Sequence, residues 1–221
     1  MKAIFLLAIT GLACQACKGP SNAALPSGFE LNGLSAAELS AEWWKWAASS
    51  PADADPILDA SGINCAIGQS GNVWFLAGGY GSSKISRTCT IPYGKYIFFP
   101  AVNMAFWPRQ ENTGYTCNEA KRNAAVNNDS ALDLFVEIDG IAVENPEDYR
   151  ARTQECFDIF ERVPDRYRPY RAFPAASDGY WYLLRPLKRG THTIRFGGQY
   201  DNSDHAFGEM VQDIQYSVLV E

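Results

Sequence analysis

The chain has 221 residues, 47% of them hydrophobic and 20% charged, a balance too apolar for disorder and a length suited to one large β domain. A formal net charge of −6 argues against nucleic acid or an anionic membrane surface as the main partner. Aromatic residues make up 13%, which favours sheets joined by turns over helical bundles.

Lys2 followed by the apolar run Ala3 to Ala13 has the layout of an export signal, and the run is shorter than the roughly 20 residues a bilayer requires. Gly11-Leu12-Ala13-Cys14 resembles a bacterial lipobox and makes Cys14 the candidate for lipid attachment, although Gly11 stands where that pattern usually has Leu. Cys17 is the alternative lipid site. Cleavage after Ala16, or within residues 21–24, would release an unanchored exported protein instead. The predicted organisation is a signal segment over residues 1–17, a Gly, Pro and Ser-rich tether over 18–33 and a single β-rich domain over 34–221.

Ser35 and Glu38 form a capping-box pattern ahead of a predicted helix over Ala36 to Ala47. Leu39, Trp43 and Trp46 share one face of it. That face either packs on the domain or presents Trp43 and Trp46 as an exposed aromatic platform for a ligand. Strands are predicted over Asn72–Ala77, Arg87–Ile91 and Tyr96–Phe99, with a turn at Pro92-Tyr93-Gly94. A short helix is predicted over Asn118 to Val126. The next strand, Leu132 to Ile138, ends in Asp139-Gly140, a hairpin signal. Residues 145–178 mix arginines, among them Arg150, Arg152, Arg162, Arg166, Arg168 and Arg171, with Tyr149, Tyr167 and Tyr170, and read as a long excursion from the sheet. Tyr180–Arg185 and Thr191–Phe196 are further strands. A polar loop over Gly197–Gly208 then leads to a last strand, Val211–Val220. Strands without regular helix alternation point to an antiparallel β-sandwich-like fold, with a jelly roll or barrel as its nearest competitor.

Two of the six cysteines, Cys14 and Cys17, belong to the signal region. Cys65, Cys89, Cys117 and Cys156 remain, and an even number in an exported chain reads as two disulfides. Of the three connectivities, Cys65–Cys89 and Cys117–Cys156 are favoured because each stays within a local block. Each such loop would stabilise the fold by roughly 3–4 kcal/mol.

Trp44-Lys45-Trp46, Val73 to Gly78, Cys89 to Lys95, Phe98-Phe99-Pro100, Gly179-Tyr180-Trp181 and Gly190 to Gly198 together resemble a family of uncharacterised exported bacterial proteins. The resemblance spans most of the mature chain and implies a shared architecture. It brings no known activity with it.

Motifs with chemical content are few. Gly78 to Gly81 leads to a strand, so it is a turn and not a phosphate loop, which must open a helix. Gly68-Gln69-Ser70-Gly71-Asn72 lacks the glycine two residues past the serine that a nucleophile elbow needs. His192, alone on an apolar strand face, reads as a hydrogen-bonded structural residue. Asp201, Asp204 and His205 form the densest ligand-capable run, able in principle to hold calcium or a transition metal; no other cofactor is predicted. Asp53, Asp55 and Asp59 lack EF-hand spacing. The Arg/Tyr excursion offers guanidinium forks and flat rings, at Arg166, Tyr167, Arg168 and Tyr170, suited to a carboxylate-bearing glycan or to covering a sheet edge. The leading expectation is an exported or lipid-anchored envelope domain that binds a glycan or another envelope component without catalysis. It has no nucleic-acid partner and touches the membrane only through its lipid. A secreted hydrolase acting on polysaccharide and a structural envelope protein are the alternatives.

Overall fold

The computed structural model describes residues 23–109, 114–202 and 208–221. The expected signal segment, with Cys14 and Cys17, lies outside the described residues. A small hairpin, β1 (Glu30–Leu31) and β2 (Leu34–Ser35), leads into α1 (Ala36–Ser49). The capping box forms as its residues dictate. Ser35 Oγ accepts the Glu38 amide, and the Glu38 carboxylate takes the Ser35 amide at 2.8 Å, satisfying two of the donors a helix start leaves open.

Two sheets make a sandwich, and neither closes into a barrel. The five-stranded sheet has β4 (Ser83–Ile91), β11 (Gly208–Val220), β10 (Gly190–Asn202), β6 (Ala131–Ile138) and β7 (Ile141–Ala142) side by side. The four-stranded sheet orders β3 (Val73–Phe75), β5 (Tyr96–Phe106), β9 (Ala176–Leu184) and β8 (Arg150–Arg152). Most pairings are antiparallel, as expected, but β3 joins β5 and β4 joins β11 in parallel. In both parallel pairs the edge strand is the first of its sheet along the chain. Pro100 is tolerated inside β5 because β3 pairs only with Tyr96–Phe98, so the N–H that proline lacks falls beyond that ladder. Asp139 and Gly140 both take positive φ, 54° and 72°, the geometry of the tight hairpin turn the sequence indicates.

Alternation divides the side chains between two cores. Between the sheets, Phe99 meets Phe196 at 4.6 Å between ring centroids, while Tyr182 stacks on Phe99 and Tyr149. On the outer face of the four-stranded sheet, Phe98 stacks on Trp181 at 5.2 Å and Trp43 of α1 meets the same indole edge-on at 5.5 Å. Strand β9 is therefore covered on both faces, and all nine of its residues are buried. Asp178 and Ser177 at its start break the apolar run, which is why only Tyr180–Arg185 reads as strand in the sequence.

Three expectations change. Residues 23–31 do not behave as a tether: Leu25 N donates to the Leu183 carbonyl at 2.8 Å, Arg185 N donates to the Ala23 carbonyl at 2.9 Å, and Phe29 is buried edge-on to Phe98. The chain simply extends the four-stranded sheet where β8 has ended. The polar loop expected over Gly197–Gly208 is instead largely strand, because β10 runs on to Asn202 and β11 begins at Gly208. The second helix, α2, starts a residue earlier than expected and spans Cys117–Ala125. Its N-cap is Thr116, with Glu119 completing a second capping box. It crosses from β5 to β6 and packs against β9.

Both disulfides have the favoured connectivity, Cys65–Cys89 and Cys117–Cys156, each with Cα atoms 5.9 Å apart. Among the described residues no helix is long and apolar enough to cross a membrane.

Candidate functional site

The Arg/Tyr excursion occupies residues 153–175, between β8 and β9. Its base is a short ladder: Phe157 N donates to Ala175 O at 3.0 Å, and Ala175 N returns a bond at 2.8 Å. Asp158 Oδ1 accepts the amides of Phe160 and Ala172, at 3.0 and 3.2 Å. The outer part is docked on α1, where Arg162 pairs with Glu42 at 2.5 Å and Lys45 bonds both Glu42 and Glu161. Beneath it Ala41, Phe157, Ile159 and Ala172 form a small buried cluster.

Tyr170 is the predicted ligand residue that this folding places in a cleft. Trp107, just past β5, and Tyr170 each meet Phe160 edge-on, at 6.5 and 5.4 Å between centroids. With Ala105, Phe106 and Arg109 they line a cleft of about 440 Å³. Among these lining residues there is no carboxylate, imidazole, hydroxymethyl or thiol group. What remains is two ring systems, one phenol and one guanidinium, a set that can stack, donate hydrogen bonds and attract an anion. Trp107 and Arg109 were missed from sequence because they lie some 60 residues from Tyr170 along the chain and join it only through the docking of the excursion.

The other predicted residues separate. Arg166 lies over the Tyr167 ring at 4.7 Å, and Tyr167 is 67% exposed, so this pair stands in solvent. Arg171 covers Phe173 in the same way at 5.1 Å. Arg168 turns inward instead: its Nη2 donates to the carbonyls of Glu161 and Val163, at 3.0 and 3.4 Å, and its other contacts are Asp158 and Asp165. It holds the loop together and is not displayed to a ligand.

Trp43 and Trp46 form no exposed platform. Each is 1% exposed, and their indole N–H groups donate to the Leu76 and Ile67 carbonyls at 2.9 and 2.7 Å. The spacing that puts both on one helical face is the spacing that buries them. The proposed metal run is also altered. Asp201 lies on β10 opposite Glu209 of β11, while Asp204 and His205 lie outside the described residues. No group of three or more metal-ligating side chains comes together among the described residues. The Asp53–Asp59 stretch builds turns, with Asp55 accepting the Ile57 amide and Asp59 the amides of Ser61 and Asn64.

Two titratable groups outside the cleft are committed to the fold. His192 is held by Asp139 Oδ2 at 2.8 Å and the Lys188 carbonyl at 2.9 Å. Asp178 is buried, and its Oδ1 accepts Arg150 Nε at 2.9 Å while Oδ2 accepts Arg150 Nη2 at 3.0 Å and Arg152 Nε at 2.9 Å. Burial pushes its pKa above the ordinary Asp range, against the pull of Arg150 and Arg152. Both oxygens are taken by guanidinium donors, so the acid fastens β8 to β9.

No family model matches the chain, and no curated protein does. Among solved structures it is similar to the cysteine protease inhibitor EhICP2 from Entamoeba histolytica, at 16% identity and a TM-score of 0.28, over 67% of this chain and 96% of that chain. A likeness of that degree says nothing about activity.

Proposed function

We propose that the chain is an exported binding domain that holds a carboxylate-bearing sugar in the cleft between Trp107 and Tyr170. The carrying observation is the lining itself: two aromatic groups fixed against Phe160, with the Arg109 guanidinium beside them. Sugar rings present apolar C–H faces that stack on Trp and Tyr, and a guanidinium forks onto a carboxylate. The two disulfides are in keeping with an oxidising, extracytoplasmic compartment.

Calorimetric titration of the mature domain with uronic-acid oligosaccharides and their neutral counterparts tests this reading. Saturable binding of the acidic form is expected. Trp107→Ala should weaken it at least tenfold, and Arg109→Gln should remove the preference for acidic over neutral sugar. Equal affinity of wild type and Trp107→Ala would show that the cleft is not the site.

A further inference from the structure

A second cleft opens at the start of β9, where α2 faces the chain leaving β8. Its volume is about 620 Å³, and its lining includes Lys121, Arg122, Arg152, Gln154, Ser177 and Asp178. One wall is α2. The other is the segment from Arg152 to Gln154. Two links clamp the walls together: the Cys117–Cys156 disulfide, and a hydrogen bond from Lys121 Nζ to the Gln154 carbonyl. The cleft is thus preformed, with little ordering left for a ligand to bring about.

Its charges do not cancel. Arg150 and Arg152 are matched by Asp178 and Asp129, whose Oδ1 accepts Nη2 of both arginines at 2.7 and 3.1 Å. That leaves two cations on the α2 wall. Lys121 has given one of its three N–H donors to Gln154. Arg122 enters no ion pair among the described residues, and Glu119, one turn back, has its carboxylate bound to the amide and hydroxyl of Thr116. Asp129 is the exposed acid at the cleft, and it is already shared between two guanidinia. One further polar group has no protein partner. Ser177 lines the cleft, is 2% exposed, and its Oγ makes no hydrogen bond. A buried hydroxyl left so is unfavourable unless something supplies the bond.

We propose that this cleft is a binding site for a small oxyanion, the carboxylate or phosphate group of a ligand, held by Arg122 and Lys121 beside the Arg152 guanidinium. It is separate from the Trp107 cleft and shares no lining residue with it. The oxygens of carboxylates and phosphates match guanidinium forks, and Arg122 is exposed, its charge felt by Glu119 but its N–H groups in no ion pair among the described residues.

The test is titration of the mature domain with inorganic phosphate and, separately, with acetate, at an ionic strength held constant with sodium chloride. Saturable one-to-one binding of at least one of them is expected, and whichever binds tighter identifies the ligand group. Arg122→Ala should weaken it at least tenfold and Arg122→Glu should abolish it, while thermal unfolding of both variants stays at the wild-type temperature. Cys117→Ala combined with Cys156→Ala should weaken binding as the walls part. Trp107→Ala should leave phosphate binding unchanged, which separates this site from the sugar cleft. Linear, non-saturating responses to both anions, or wild-type affinity in Arg122→Glu, would overturn the proposal.

Discussion

At the scale of single residues, a buried arginine and a half-buried histidine show how this fold uses charge. Arg87, 2% exposed, enters no ion pair among the described residues. Instead it donates to the carbonyls of Ile57, Asp59, Ala77 and Gly78 and to the Tyr216 hydroxyl, all within 2.6–3.0 Å. One side chain therefore ties the 57–59 loop and the glycine turn to the inner face of the five-stranded sheet. Arg87→Met keeps the length and removes the donors, leaving several buried carbonyls unpaired. It should cost about 3–5 kcal/mol in urea unfolding, and a loss below about 1 kcal/mol would refute this role. His192 is the other case. Both its ring nitrogens face acceptors, the Asp139 carboxylate and the Lys188 carbonyl, and only the doubly protonated ring can donate to both. Burial pulls its pKa down, but these partners outweigh it and hold the pKa above the ordinary value. The stabilisation is then complete below the unfolded pKa of about 6.5 and is lost as pH rises through the higher folded value. The stability gap between wild type and His192→Gln should shrink from about pH 5 to pH 8; a gap that does not change with pH would contradict the charged form. The histidine's structural role was legible from its place on an alternating strand. The role of Arg87 was not, because its partners come from three separate segments.

At the scale of elements, the capping boxes and the hairpin turn follow from residues within four positions of one another, and they sit where local chemistry puts them. Element lengths do not follow so closely. Strand β9 begins at Ala176 since Ser177 and Asp178 find partners in Thr153, Arg150 and Arg152, none of them near in sequence. The same junction explains Gly179. It sits opposite Asn103, at the register shift in β5, and a Cβ there would come within 2.7 Å of Asn103 Cβ and 2.8 Å of the Val102 carbonyl. Backbone this close has little freedom to yield. Gly179→Ala should cost about 1–3 kcal/mol by overpacking, read as a drop in unfolding temperature, whereas a neutral effect would mean that the bulge relaxes. Because Asp178 precedes it, the variant should also disturb oxyanion binding more than sugar binding.

At the scale of the whole molecule, the domain begins earlier than its composition suggests. Residues 23–31 bond to the end of β9 and bury Phe29. A chain starting at Leu34 should lose about 2–3 kcal/mol from Phe29 burial alone, or about 4–12 °C in a domain of this size. An unchanged unfolding temperature would restore the tether reading. The amino-acid sequence alone determined what short-range chemistry controls: the β class, the capped helices, the Asp139-Gly140 turn and the cysteine pairing, which follows from closing the shortest loops. It also marked the Arg/Tyr excursion as the unusual segment. Only the tertiary structure decided which candidate binding residues face solvent, because Trp43, Trp46 and Arg168 have the composition of binding residues and the burial or bonding of structural ones. Both clefts are likewise products of packing. Trp107 and Tyr170 share one cleft, and Arg122 and Arg152 the other, only because the excursion docks on α1 and a disulfide holds α2 against it. Contacts between residues so far apart along the chain leave no local pattern to read.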